Sequence, residues 1–149
     1  MIEVFPALAL PALEASFATR MRAPKYNPCN RKQYKPADWR SVAAAVAKEA
    51  KVLGCPELES WCLGAGNISN PKKADQDRLD AGICLAVALR WRLRPRADSI
   101  MIGDLVTGYM VTPASAAMRE RLTAAAAKMG GVPVDRIPAA AQPINITEG

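Results

Sequence analysis

Strand-forming runs are confined to the two ends of a long helical stretch. Ile2–Phe5 reads as a short strand closed by Pro6, and the next such runs, 99–102 and 109–112, follow only after residue 98. Any sheet must therefore join segments far apart in sequence, across a span that reads as helix and loop. This predicts an α/β, helix-rich fold with a short strand, three main helices and a β-hairpin.

The helices are read from spacing and punctuation. Ala7 to Phe17 is a short helix with Pro11 near its start or kinking it. From Ala37 to Leu53 the apolar residues Trp39, Val42, Ala43, Val46, Ala50 and Leu53 follow helical spacing, and Gly54 supplies the stop. Glu57 to Leu63 forms a shorter helix, and 64–72 is loop. Gly64-Ala65-Gly66 resembles the start of a phosphate-binding loop but follows no strand, so a nucleotide fold is discounted. The helix over 74–92 ends before Pro95, and the last helix, 115–129, stops at Gly130-Gly131. Gly103, Asp104 and Gly108 give the hairpin its turn. One domain over 1–131 is expected, with a long Pro- and Asn-rich loop at 20–36. Residues 132–149 read as an extended or disordered tail.

Charge is unevenly distributed over this scaffold. The net charge is +6. Residues 20–40 hold Arg20, Arg22, Lys25, Arg31, Lys32, Lys35 and Arg40 against one acid, Asp38, and Arg90, Arg92, Arg94 and Arg96 form a second block. The rest of the chain carries nine cations and thirteen acids. Two basic blocks on a slightly acidic body favour a polyanionic partner, although either block could serve only as a solvated face. Tyr26, Tyr34 and Trp39 are interleaved with the first block and Trp91 with the second. Cations follow phosphates while aromatic faces stack on bases. Trp39 and Trp91 fit the core faces of their helices, which leaves Tyr26 and Tyr34 as the stacking candidates. The candidate nucleic-acid contacts are Arg22, Lys25, Tyr26, Arg31, Lys32, Tyr34, Lys35, Arg92, Arg94 and Arg96.

The chain has no histidine and four cysteines, Cys29, Cys55, Cys62 and Cys84, none in a CxxC pair. Ser-His and Cys-His catalysis and His-ligated metals are excluded, and the cysteine spacing is poor for zinc. The longest apolar run, 81–89, is too short to span a bilayer. The N-terminus carries Glu3 where an export signal needs positive charge. A cytoplasmic protein without disulfides or a membrane partner is expected.

Carboxylates supply the remaining chemistry. Asp75, Asp77 and Asp80 lie in the first turns of the helix over 74–92, where the helix dipole favours acids. That accounts for Asp75 and Asp77. Asp80 directly precedes the apolar run and invites a metal or a pairing cation. Asp77 and Asp80 share one helix face at i, i+3. Two adjacent carboxylates suit Mg²⁺, which takes hard oxygen ligands. Glu3 alternates with Ile2 and Val4 and is either a solvent-facing edge residue or the third member of an acidic cluster.

Three stretches taken together resemble an uncharacterised prokaryotic family predicted to be RNase H-like nucleases. They are Ile2-Glu3-Val4-Phe5-Pro6-Ala7, then Asp77-Arg78-Leu79-Asp80-Ala81 with the following Ile83-Cys84-Leu85-Ala86-Val87-Ala88, then Gly103-Asp104 with 108–113. The similarity runs from about Ile2 to Pro113. In RNase H-like folds the catalytic acids stand on the first strand, the fourth strand and the final core helix. The resemblance implies that Glu3 is the fourth-strand acid and that Asp77 and Asp80 are the helix acids, together catalytic and binding Mg²⁺ or Mn²⁺. It also implies a partial RNase H-like fold, because the family's Asp-bearing first strand and its hairpin partner have no counterpart here.

The expected function is metal-dependent phosphodiester hydrolysis. The alternatives are a non-catalytic module that binds nucleic acid or another polyanion, and an assembly subunit. A homo-oligomer, or a partner chain supplying the missing strands, is expected because strand 2–5 has no local neighbour to pair with.

Overall fold

The computed structural model describes residues 3–18 and 23–135. The elements are α1 (Pro6–Leu13), α2 (Ala15–Ala18), α3 (Pro36–Val52), α4 (Pro56–Gly66), α5 (Lys73–Leu93), a 3₁₀ turn (Arg96–Asp98), β1 (Ser99–Asp104), β2 (Gly108–Pro113) and α6 (Ala116–Lys128). The fold is α/β and rich in helix. No helix among the described residues is long and apolar enough to cross a membrane.

Local chemistry sets the helix ends. Proline opens α1, α3 and α4, where its missing N–H costs nothing and its fixed φ fits the first turn. Gly54 ends α3 at φ +72°, with Gly54 N–H donating to Lys51 O at 3.1 Å and Cys55 N–H to Ala50 O at 2.9 Å. This Schellman pattern satisfies two terminal carbonyls. At the start of α5, Asp75 Oδ2 accepts from the Lys72 N–H at 2.8 Å. Asp75 is thus a capping acid, as its position predicted.

The structure corrects several boundaries. The expected helix over 7–17 divides at Glu14, which is extended at φ −146°, three residues after Pro11. The expected loop at 64–72 begins only at 67, because Gly64-Ala65-Gly66 completes α4. That last turn is held by α3: Trp39 Nε1–H donates to Ala65 O at 2.9 Å. A Cβ at Gly66 would meet Ala43 Cβ at 3.4 Å, the edge of ordinary contact, so α4 lies close against α3 here.

β1 and β2 form a two-stranded antiparallel sheet in register from Ser99↔Pro113 to Asp104↔Gly108. The Asp104 carboxylate accepts from the N–H groups of Thr107 and Val106 and from the Thr107 hydroxyl, closing the turn. These bonds hold its carboxyl below the ordinary aspartate range. Single bridges flank the sheet on both sides. Glu3 pairs parallel with Met110 and its carbonyl accepts from Val111 N–H at 2.9 Å. Val134 pairs antiparallel with Ile102, with Gly103 N–H donating to Pro133 O at 2.8 Å. The N-terminal strand is therefore one bridge among the described residues, and Ile2 lies outside them. The segment read as a tail stays on the sheet through Asp135. The rest of that tail, 136–149, lies outside the described residues.

The core gathers Leu10 of α1, Trp39, Val42 and Val46 of α3, Leu79, Ile83 and Val87 of α5, and Met101 and Val111 of the hairpin, all buried. Each such aliphatic side chain contributes roughly 1.5–3 kcal/mol through burial. β2 packs on α1 and α5, so the sheet covers one flank of the helices. A part-buried ion pair, with Glu49 buried and Arg90 half-buried, links two of these helices. Arg90 Nη1–H donates to Glu49 Oε1 at 2.6 Å, joining α5 to α3.

Candidate nucleic-acid interface

The basic loop at 23–35 is compact. Lys35 N–H donates to Lys25 O at 2.7 Å and closes its neck, while Lys25 N–H donates to Asp38 Oδ2 at 2.7 Å. Inside the neck, Asn27 Oδ1 accepts from Cys29 N–H at 2.9 Å, and Asn30 O accepts from Gln33 and Tyr34 N–H at 2.9 and 2.8 Å. A surface loop of this length with joined ends and its own turns is an Ω-loop. The Pro and Asn residues that marked it as irregular are the ones that build the turns.

Tyr26 anchors this loop to α5. Its ring is buried and its hydroxyl donates to Asp80 Oδ1 at 2.7 Å. Burial first, then the Asp80 carboxylate, pushes the Tyr26 hydroxyl well above its ordinary range. Asp80 Oδ2 accepts from Gln76 Nε2–H at 3.2 Å. Tyr26 is therefore a core anchor and not a stacking surface, a correction that follows from an acid acceptor lying beneath it. Tyr34 is half-buried against the core, and its hydroxyl is buried without a partner among the described residues. Trp39 is core, as its spacing indicated.

Arg31, Lys32 and Lys35 stand exposed on the loop, and Lys25 is half-buried. Arg22 lies outside the described residues. Beside the loop, a depression of about 490 Å³ is lined by Pro28, Cys29, Arg31, Asn70, Lys72 and Lys73, among others, at the start of α5. Arg31 and Lys72, with Lys73 that is ion-paired to Asp77, thus line one concavity at the first turn of a helix, an arrangement suited to anions. Lys72 and Lys73 escaped notice in the sequence because they fall outside both dense blocks. Only their position before the Asp-rich turn could have placed them beside the loop.

The second basic block is spent mostly on structure. Arg90 is in the part-buried pair with Glu49, and Arg94 Nε lies 3.6 Å from Asp98 Oδ2. Arg96 donates to Asp135 Oδ1 at 2.5 Å and to Ser99 O at 2.7 Å, and its guanidinium lies 4.0 Å from the centre of the Trp91 ring. Arg92 is exposed and has no acid partner among the described residues. As phosphate contacts, Arg94 and Arg96 would have to give up these partners.

Asp135 is the hub that sequence reading missed. It takes a left-handed backbone at φ 53° and accepts from Arg96, Arg119 and the Met101 N–H. Burial opposes ionisation, but the Met101 N–H and the two guanidinium groups outweigh it and hold the carboxyl below its ordinary range. Val132 and Val134, flanking Pro133 just before it, were an available strand signal.

The candidate acids are placed as follows. Glu3 is exposed on the outer side of β2. Asp77 is exposed and ion-paired with Lys73 one turn earlier. Asp80 is half-buried with both oxygens accepting hydrogen bonds. Among the described residues no three of Asp, Glu, Cys or His come together as a metal-holding group. All four cysteines are free thiols, and burial pushes that of Cys62 up to about 11. Compared with known protein families, curated proteins and solved structures, the chain matches none.

Proposed function

We propose that this chain binds nucleic acid through the phosphate backbone, using the Ω-loop at 23–35 and the start of α5. What carries the reading is the concavity shared by Arg31, Lys72 and Lys73, next to exposed Lys32 and Lys35. The loop is fixed by its neck and by Tyr26, so its cations need little ordering when a polyanion arrives.

The test is fluorescence anisotropy of a labelled single-stranded oligonucleotide across a salt series. If about four phosphates are neutralised, log K falls with log salt at a slope of roughly −3. Replacing Arg31, Lys32 and Lys35 together by Ala flattens that slope. Binding that ignores salt, or that ignores the triple variant, overturns the reading.

A second reading is a metal-dependent, RNase H-like nuclease built on Asp80. It is favoured by one observation: Tyr26 and Gln76 orient the Asp80 carboxylate from the inside, as outer partners orient a metal ligand. Mn²⁺-dependent cleavage of the same oligonucleotide, abolished in a folded Asp80→Asn variant, would establish it.

A further inference from the structure

A second cavity shares no lining residue with the basic depression. It occupies about 220 Å³ between the Ω-loop and α5, with Lys25, Asn27, Asn30, Gln33, Tyr34 and Gln76 in its lining. Gln76 is only 8% exposed. Its Nε2 faces the Asp80 carboxylate, a bond that only the nitrogen end of the amide makes, so the amide orientation is fixed and Oε1 is the end left over. That Oε1 and the Tyr34 hydroxyl are both buried and without a partner among the described residues. Buried polar atoms in folded proteins are nearly always satisfied, so two orphans on residues that line one cavity point to a group that enters it.

We propose that this cavity receives one unstacked nucleobase. The inference rests on the nucleic-acid reading above and names what the loop holds besides phosphate. Gln76 Oε1 is an acceptor backed by a carboxylate, so it repels an anion and takes an uncharged hydrogen-bond donor. That excludes phosphate from the cavity floor. Lys25 in the lining disfavours a free cation. A nucleobase meets both conditions: it is neutral, and its edge presents N–H donors beside acceptors. The Tyr34 hydroxyl donates or accepts, and the amides of Asn27, Asn30 and Gln33 match the remaining edge positions. The volume is below the range of drug-sized pockets and suits a single flat heterocycle. Arg31, Lys32 and Lys35 are exposed on the same loop, so one element would hold backbone and base together.

Uncharged nucleosides separate the cavity from the electrostatics. Adenosine, cytidine, guanosine and uridine are titrated at millimolar concentration into ¹⁵N-labelled protein. At least one saturates and shifts the Gln76 side-chain amide resonance. Gln76→Leu and Tyr34→Phe each weaken that binding by roughly tenfold, the effect of one lost buried hydrogen bond. Lys128→Ala, at an exposed position on α6, leaves it unchanged. Tyr34→Phe keeps the ring, so it remains informative if Gln76→Leu unfolds. No saturating shift with any of the four, or shifts that persist equally in both variants, overturns the proposal, as does a crystal soak that finds ordered water only. Nucleoside binding without salt-dependent oligonucleotide binding would keep the cavity and reject the phosphate interface. The converse would keep the interface and reject the base.

Discussion

The hydroxyl of Tyr26 donates to Asp80 Oδ1 at 2.7 Å, across 54 positions of sequence. This one bond fixes the basic loop on the helix that carries the candidate acids. It decides which side of Asp80 is available, because Gln76 occupies the other oxygen. Position on the loop and chemistry on the helix are therefore coupled, and a change at Tyr26 is felt at both.

Tyr26→Phe removes that donor and leaves Asp80 half-satisfied. The expected loss is about 1–2 kcal/mol, or a few degrees in Tm. The same residue gives the fold an alkaline limit. Its folded pKa is raised above the unfolded value near 10. Its stabilisation is thus complete below about pH 10 and is lost as pH rises toward the folded value. Denaturant melts between pH 8 and pH 11 should show stability falling at the top of the range. In the Phe variant this component should vanish, and an unchanged slope would show that another group sets the limit.

Asp135 ties the segment after α6 to β1 and to two arginines. Asp135→Ala should cost about 1–2 kcal/mol, because the site is partly solvated and stands between exposed and buried pairs. Arg119→Ala should cost a similar amount. The double variant should lose clearly less than the sum, since both remove one interaction. The depressed carboxyl contributes stability above the unfolded aspartate range, near pH 4, and loses it as pH falls through the folded value. Urea melts from pH 6 to pH 2 on wild type and Asp135→Asn test this. Full additivity, or identical pH profiles, would contradict the hub.

Two neighbouring arginines on α5 should behave differently. Arg90→Ala leaves Glu49, only 7% exposed, without its cation, and should destabilise by about 3–5 kcal/mol. Arg92→Ala, at an exposed position, should change stability by less than about 0.5 kcal/mol. Thermal melts at matched pH check this pair. A large loss in Arg92→Ala would show that its side chain has structural work after all.

Helix existence was legible because spacing and punctuation agree: Trp39, Val42, Val46 and Ala50 share the buried face of α3, and Gly54 ends it. Asp75 was legible as a helix-start acid for the same local reason. What failed were the long-range partners. The second basic block reads as free charge because Glu49, Asp98 and Asp135 come from other elements. Glu49 did leave a trace: it follows Val42 and Val46 at seven and three residues, on the core face, where a bare acid is costly. Tyr26 and Tyr34 look alike in sequence, and only the presence of Asp80 beneath one of them separates their roles. The expectation of a second chain was argued from a strand without a local neighbour; Glu3 makes one bridge to Met110 of the hairpin, and the second chain stays a proposal.

Divalent metal gives the last and sharpest contrast. For Mg²⁺ to bind at Asp80 it must share oxygens already accepting from Tyr26 and Gln76, and at Asp77 it must displace Lys73. Glu3 is exposed at the sheet edge and joins no three-acid group. Two carboxylates at a half-open surface hold Mg²⁺ weakly, because it dehydrates reluctantly. Millimolar Mg²⁺ or Mn²⁺ should therefore leave the melting temperature of the free protein unchanged. A metal bound at a hundred times its Kd would instead add about 2.7 kcal/mol, a shift of several degrees. If such a shift appears and disappears in Asp80→Asn, while Glu57→Gln on α4 retains it, the metal-dependent reading replaces the binding one.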